Sequence, residues 1–415
     1  MSSEKKISSD ASTKDLQNDF KLKPLHEMFS YISFAMLCGG ILPHYTYLRF
    51  WKTYTIFVAG YIFLTFVLII HCVTIDIKMR DITDIIRQMT IIIPLQIVLT
   101  KILLTQYYGG VLASLIEEIN GDYEEAKKLP HYLRKIIENG AKEGKIAQKI
   151  WVVTAFLVAY SFPFQAFILM LYKNLTINTT QRIMVHEFKI PFFEDMKYTF
   201  PVYEIVAIFS TGVTFFCQMV FLGFDGFCLI LFTHCIAQLK ALQMKLKQLF
   251  KNMDGFDEEL IQHRLNNIVE HHSKILRFCD RVQTLLSIFF FNLVILTSMQ
   301  LCVTGFQIME SLESKEIKIE FVIFTLGTVV QVYLPCKYGT ILSDASLDVG
   351  DAAYFSGWES IPNKKFRMTL VFIIMRSQTP ILLTAVGMVP VNISSFSSIL
   401  HTSWSYFTLL RSTKQ

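Results

Sequence analysis

Seven long apolar stretches, separated by shorter polar ones, make up most of this chain. A bilayer core takes about 20 apolar residues per helix, and Thr53 to Ile75 supplies such a run without one Asp, Glu, Lys or Arg. The others run approximately over Gln88 to Tyr107, Ile150 to Tyr172, Phe200 to Leu239, Val282 to Met309, Ile319 to Leu342 and Phe366 to Leu410. Met28 to Leu48 is nearly as apolar, but Gly39, Gly40 and Pro43 interrupt it, so it reads as a re-entrant or interfacial piece.

Two stretches are too long for a bilayer. At 1.5 Å per residue the fourth and seventh would reach roughly 60 and 67 Å against a core of about 30 Å. The fourth runs on into an amphipathic tract: Leu242, Leu246, Leu249 and Phe250, then Leu265, Ile268, Val269, His272, Ile275, Leu276 and Cys279, recur at helical spacing. These helices need a partner surface beyond the membrane. In the seventh, Pro380 ends or kinks the preceding turn, predicting a cytoplasmic half helix before it and a membrane half over Ile381 to Leu410. That half carries Thr384, Asn392, Ser394, Ser395, Ser397, Ser398, His401, Thr402, Ser403, Ser405 and Thr408. Polar groups within a bilayer face a bundle interior or water, and a pore-lining role is favoured over helix packing by small polar residues.

Mean hydropathy is +0.42, 52% of residues are apolar and 18% are charged, which excludes an ordinary soluble enzyme. With the N-terminus inside, Lys and Arg number 26 on the inner segments and 11 on the outer ones, satisfying the positive-inside rule. Seven spans then put the C-terminus outside. The first 24 residues have no apolar core of a signal peptide, so the first span is expected to direct insertion. The sequons at Asn174 and Asn178 fall in a loop the charges place outside and are candidate glycosylation sites; a third, at Asn392, lies within the last apolar stretch. All eight cysteines lie in or beside apolar stretches, as packed thiols do. Glu204 and Lys101 are expected to snorkel from span ends, and Asp225 to pair with a cation of the cytoplasmic helices. No metal-ligand cluster, phosphate loop or nucleophile motif occurs, so no cofactor, nucleic-acid partner or catalysis is implied.

His271-His272-Ser273-Lys274-Ile275-Leu276, Tyr338-Gly339-Thr340-Ile341-Leu342-Ser343, Ala352-Ala353-Tyr354 with Trp358, Arg376-Ser377-Gln378-Thr379-Pro380 and Ser405-Tyr406-Phe407-Thr408-Leu409-Leu410 resemble, in order and spacing, the insect odorant receptors. The resemblance implies an all-α polytopic protein of seven transmembrane helices with a cytoplasmic N-terminus, an extracellular C-terminus and a cytoplasmic helical anchor. It would be a subunit of a heterotetrameric, ligand-gated, non-selective cation channel, completed by the odorant co-receptor in the plasma membrane of olfactory sensory neurons. The implied organisation is a cytoplasmic tail with the re-entrant segment (1–52), the ligand-binding helices one to four (53–239), anchor helices (240–281), helices five and six (282–342), a cytoplasmic loop and half helix (343–379), and the pore-lining helix with the C-terminus (380–415).

The co-receptor ends in a Gln-Leu pair where this chain has Ser412 and Thr413, and its loop between spans four and five is longer, so this chain looks like a ligand-tuning subunit. The same register places His401, Ser405, Leu409, Ser412 and Thr413 along the pore. A small, volatile, apolar ligand is implied in the outer half of the bundle, bringing in Met89, Ile93, Tyr160, Phe164, Phe167, Tyr203, Phe209, Gly212, Phe324 and Thr328 as candidate contacts. Pro163 favours Phe164, because a proline kink opens room for a cavity. The alternatives are an insect gustatory receptor, whose Gln-Phe ending this chain lacks; a G-protein-coupled receptor, which has the opposite topology; and a transporter, which has paired broken helices.

Overall fold

The computed structural model describes residues 22–42, 50–80, 82–177, 182–185, 189, 196–251, 257–314, 318–360 and 362–412. In chain order the helices are α1 (Leu25–Met28), α2 (Ser30–Cys38), α3 (Trp51–Met79), α4 (Ile82–Tyr107), α5 (Gly109–Lys128), α6 (His131–Ile177), α7 (Val202–Lys247), α8 (Glu258–Glu313), α9 (Ile319–Tyr354), α10 (Lys364–Ser377) and α11 (Ile393–Ser412). Among the described residues, six of them, α3, α4, α6, α7, α8 and α9, are long and apolar enough to cross a membrane. α11 completes the seven: its 20 residues reach about 30 Å, enough for a bilayer core. The protein is therefore a helical, multi-pass membrane protein.

Three helices run far past any bilayer. α6, α7 and α8 contain 47, 46 and 56 residues, or about 70, 69 and 84 Å. Their extensions pack with α5, whose Leu112, Leu115, Ile116, Ile119, Tyr123 and Ala126 are buried at the three-and-four spacing of one helix face. The amphipathic tract after the fourth span supplies the opposing surface: Leu242, Leu246, Leu265, Ile268, Ile275 and Cys279 are all buried.

Among its described residues, the interrupted segment near the N-terminus is helical over α1 and α2. Nine residues reach about 14 Å, too short to cross. α2 lies directly on α7: a Cβ on Gly223 would sit 2.8 Å from the backbone nitrogen of Met36, so only glycine permits this approach. Leu42 is the last described residue of that segment.

The seventh stretch breaks as Pro380 requires, but the membrane helix starts later than expected. α10 ends at Ser377, and α11 begins at Ile393. Between them a small antiparallel hairpin pairs β1 (Thr384–Ala385) with β2 (Val389–Pro390). Its turn has positive φ at Val386 and Gly387, a conformation that glycine adopts freely and a β-branched residue does not. Side chains from α8 and α9 hold it: the Gln283 amide donates to the Thr384 carbonyl at 3.0 Å and accepts from the Thr384 N–H at 2.8 Å. Ser287 and Ser346 accept from the N–H groups of Val386 and Ile381, and Thr340 accepts from Ile393 N–H at 3.0 Å. Asn392 then caps α11, its side chain accepting from Ser395 N–H at 2.9 Å.

Candidate functional site

A cavity of about 160 Å³ lies among α4, α6, α7, α8 and α9. Its wall follows from helical periodicity. On α6 the lining residues Trp151, Ala155, Val158 and Phe162 recur every three or four positions; on α7 Thr214, Gln218 and Phe221 do so, and on α9 Phe324, Thr328 and Gln331. Pro94 of α4 and Pro163 of α6 both line it; a proline removes one helical hydrogen bond and spreads the helix locally.

Of the ten expected contact residues, Phe324 and Thr328 line this cavity. Met89 and Ile93 are on α4 beside the lining residues Thr90, Ile91 and Pro94 but do not form the wall. Tyr160, Phe164 and Phe167 are 44%, 63% and 56% exposed on the outer face of α6. The kink at Pro163 serves Phe162 rather than Phe164: Phe162 lines the cavity and meets Phe324 edge-on at 5.9 Å. Tyr203 donates its hydroxyl to the Ile183 carbonyl and lies under the Arg182 guanidinium. Phe209 and Gly212 pack on Tyr61, whose hydroxyl donates to the Phe209 carbonyl.

Gln218 and Gln300 were not anticipated, and they are the most distinctive parts of the wall. They are 3% and 2% exposed, and among the described residues neither amide has a hydrogen-bond partner at its nitrogen or its oxygen. A glutamine in an apolar span is the sequence signal that could have found them.

Below the cavity the Lys101 ammonium, fully buried, lies 2.8 Å from both Asp225 carboxylate oxygens and 3.9 Å from the Phe221 ring centre. Gln331 donates to the same carboxylate at 3.2 Å. Lys101 therefore does not snorkel, and the partner of Asp225 is Lys101 of α4 rather than a cytoplasmic cation: once both side chains face one helix junction, pairing there avoids leaving either charge alone in an apolar medium. Glu204 pairs with Arg182 at 2.8 Å.

Where α5, α7 and α8 extend beyond the apolar stretches, a second polar network ties them together. Asp122 accepts from Lys274 at 2.5 Å and from Gln238 at 3.2 Å, and lies 3.0 Å from His234 Nε2. His271 Nε2 meets Gln238 Oε1 at 3.0 Å, and its Nδ1 meets the Lys245 ammonium at 3.2 Å. Since Lys245 can only donate, Nδ1 must accept and the ring is neutral. Burial, then the neighbouring Lys245 charge, hold the His271 pKa down at about 3. Burial would raise Asp122, but the hydrogen bonds and charges of His234 and Lys274 outweigh it and leave that carboxyl below its ordinary value.

An unfolded chain protonates its histidine below about pH 6.5, while the folded one leaves His271 neutral, so stability is fully present above that pH and lost as pH falls toward 3. His272, lowered by burial and by Arg376, acts in the same direction. The purified protein is expected to lose roughly 2 kcal/mol through His271 between pH 6.5 and pH 5. His271→Gln should flatten that part of a plot of thermal midpoint against pH; an unchanged slope would show that the ring does not control it.

On α11, Ser395, Ile399, Ser403 and Phe407 are buried at four-residue spacing. His401, Ser405, Leu409 and Ser412 are exposed on the opposite side, Leu409 by 62%. Thr413 lies outside the described residues, as does Asn178. Asn174 falls in the last turns of α6 rather than in a loop.

A family model described as "7tm Odorant receptor" matches residues 81–404. Odorant receptor 67c of Drosophila melanogaster is 31% identical over 49% of this chain and 48% of its own length. Odorant receptor 13a of the same organism is 29% identical over 52% of this chain and 53% of its own. The chain thus spans about half the length of these relatives; with putative odorant receptor 65c the match extends over 88% of this chain and 85% of the relative, at 22% identity. The structure of the insect olfactory receptor OR5 from Machilis hrabei in complex with eugenol shares the fold, with a TM-score of 0.76 over 93% of this chain and 99% of that one at 19% identity. With the helical bundle, the motifs along it and the match over most of its length in agreement, this chain belongs to the 7tm odorant receptor family.

Proposed function

We propose that this chain is the ligand-tuning subunit of a ligand-gated, non-selective cation channel. It assembles with odorant co-receptor subunits as a heterotetramer in the plasma membrane of olfactory sensory neurons, its N-terminus cytoplasmic and its C-terminus extracellular. A small, volatile, largely apolar molecule opens it. The observation that carries the reading is the cavity of about 160 Å³ walled by Trp151, Phe162, Phe221 and Phe324 with a few polar groups, the character of a small-molecule site, in a chain of a receptor family. The match to a fold solved with eugenol bound supports the same reading. The exposed face of α11 bearing His401, Ser405, Leu409 and Ser412 supports a role for it, continued by Thr413, along a pore completed by other subunits. Asn174 and Asn178 are the proposed glycan acceptors.

Whole-cell current should be recorded from cells expressing the chain alone and with an insect odorant co-receptor, during perfusion of volatile odorants. Odorant-evoked cation current in the co-expressing cells only is the expected result; current from the chain alone with soluble tastants would favour the gustatory alternative. Ala159→Phe, which fills the cavity from α6, should raise the half-maximal odorant concentration at least about tenfold, a cost of about 1.4 kcal/mol, with surface expression unchanged. A normal dose response from that variant would place the ligand elsewhere.

A further inference from the structure

We infer that the cavity selects a ligand that carries a hydroxyl group on a small, ring-sized apolar body, with Gln218 and Gln300 as the residues that impose the choice. The inference rests on the reading of the cavity as the ligand site.

Size sets the first limit. A dry cavity of about 150 Å³ lined by aliphatic and aromatic side chains accommodates benzene, so about 160 Å³ suits a single ring with a short substituent.

Hydrogen bonding sets the second. The wall holds five threonines, Thr90, Thr154, Thr214, Thr297 and Thr328, and each hydroxyl donates to the carbonyl four residues earlier on its own helix. Trp151 donates its indole N–H to the Phe221 carbonyl, and Gln331 donates to Asp225. Apart from the weak thiol of Cys217 and the second N–H of Gln331, the unspent donors of the wall among the described residues are the amide nitrogens of Gln218 and Gln300, which have no partner at all. Their carbonyl oxygens are unspent as well.

Two buried amides in this condition each cost the free energy of a desolvated polar group, and a ligand that satisfies them recovers it. A hydrocarbon satisfies none of the four atoms. An aldehyde or ketone oxygen accepts from an amide nitrogen but leaves both carbonyl oxygens bare. A hydroxyl is the smallest neutral group that donates and accepts together, so it serves an oxygen and a nitrogen of the pair. A site built around unpaired polar groups discriminates more strongly against analogues that lack the matching group than an apolar pocket does against a missing methylene. Because the glutamines stand on α7 and α8, a ligand that engages both also bridges two of the longest helices.

Toluene, benzaldehyde and benzyl alcohol share one carbon skeleton and differ only in this respect. Their affinities for the full-length purified chain are read from the ligand-induced rise in thermal midpoint, and their potencies from whole-cell current with the co-receptor. Benzyl alcohol is expected to bind at least about tenfold more tightly than toluene, with benzaldehyde between them. Gln218→Met and Gln300→Met, which keep the side-chain length, should each shrink the benzyl alcohol to toluene ratio at least about threefold, and the double variant should bring it close to one while toluene binding holds. Toluene binding by the variants doubles as the test of folding.

Equal binding of toluene and benzyl alcohol, benzaldehyde binding as tightly as the alcohol, an unchanged ratio in the double variant, or no rise in midpoint with any of the three overturns the inference. Hydroxyl-selective binding without any evoked current would overturn the channel reading and leave the inference standing. Current evoked equally by all three would do the reverse.

Discussion

Lys101→Met is expected to cost about 3–5 kcal/mol, the usual penalty for removing one partner of a buried ion pair. That is a large part of the stability of most proteins. The variant would leave the Asp225 carboxylate with the Gln331 amide as its remaining donor, where the wild-type ammonium lies 2.8 Å from both oxygens. The Phe221 ring, 3.9 Å from Nζ, would also lose the cation it faces, an interaction worth up to about 2 kcal/mol when desolvated. Surface expression should fall to background and the detergent-solubilised protein should lose its cooperative thermal transition. Asp225→Leu should fail in the same way by stranding the ammonium.

The double variant Lys101→Met with Asp225→Leu separates the pair's net contribution from the penalty of breaking it. Replacing both charges by apolar groups of similar volume is often neutral or stabilising, so the double variant should recover most of the expression. If it is as defective as either single variant, the pair supplies more than mutual neutralisation. If Lys101→Met alone expresses and melts normally, the buried contact contributes little.

Gly339→Ala is the second large effect. A Cβ at Gly339 would stand 2.0 Å from the carbonyl oxygen of Val391, well inside van der Waals contact, and the obstacle is backbone rather than a side chain that could rotate away. Val391 immediately precedes Asn392, the cap of α11, and the next residue on α9, Thr340, holds Ile393 N–H. The methyl group would therefore displace the start of α11 itself. Overpacking of this kind costs typically about 1–3 kcal/mol. In current recordings we expect at least about a tenfold fall in maximal response, because the displaced helix carries His401, Ser405, Leu409 and Ser412.

Gly110→Ala is the matched control. Nothing lies within 4 Å of a Cβ there, and in a helix that change is neutral or stabilising by about 0.4–1 kcal/mol. Wild-type currents from Gly339→Ala would mean that α9 and the α11 junction separate without consequence.

The number and order of the spans were legible in the sequence because each depends on local composition. Their lengths were not, since α6 and α8 run to 47 and 56 residues by continuing as polar-faced helices beyond the apolar runs. An apolar run of 20 residues, a proline or paired glycines within it, and the helical spacing of Leu265, Ile268 and Ile275 act within a few turns of one helix. The break at Pro380 was readable for the same reason. The hairpin after it was not, since Val386 adopts a left-handed backbone that its own sequence disfavours and that Gln283 and Ser287 of α8 hold in place.

The interior of the bundle was decided only by tertiary packing. The helix phase that turns Phe162 inward and leaves Phe164 63% exposed depends on which neighbours α6 meets, and all-round hydrophobicity in a membrane helix conceals that phase. Lys101 and Asp225 are 124 positions apart. Sequence supplied their charges and depths, but their pairing exists because α4 and α7 cross where neither side chain can reach water. Gln218 and Gln300 followed the same logic: the chain shows two amides in apolar spans, and only the assembled helices show both residues in the wall of one cavity with their hydrogen bonds unspent. Local periodicity fixed the elements, whereas the directions of their polar side chains were set by the cost of burying each one unpaired.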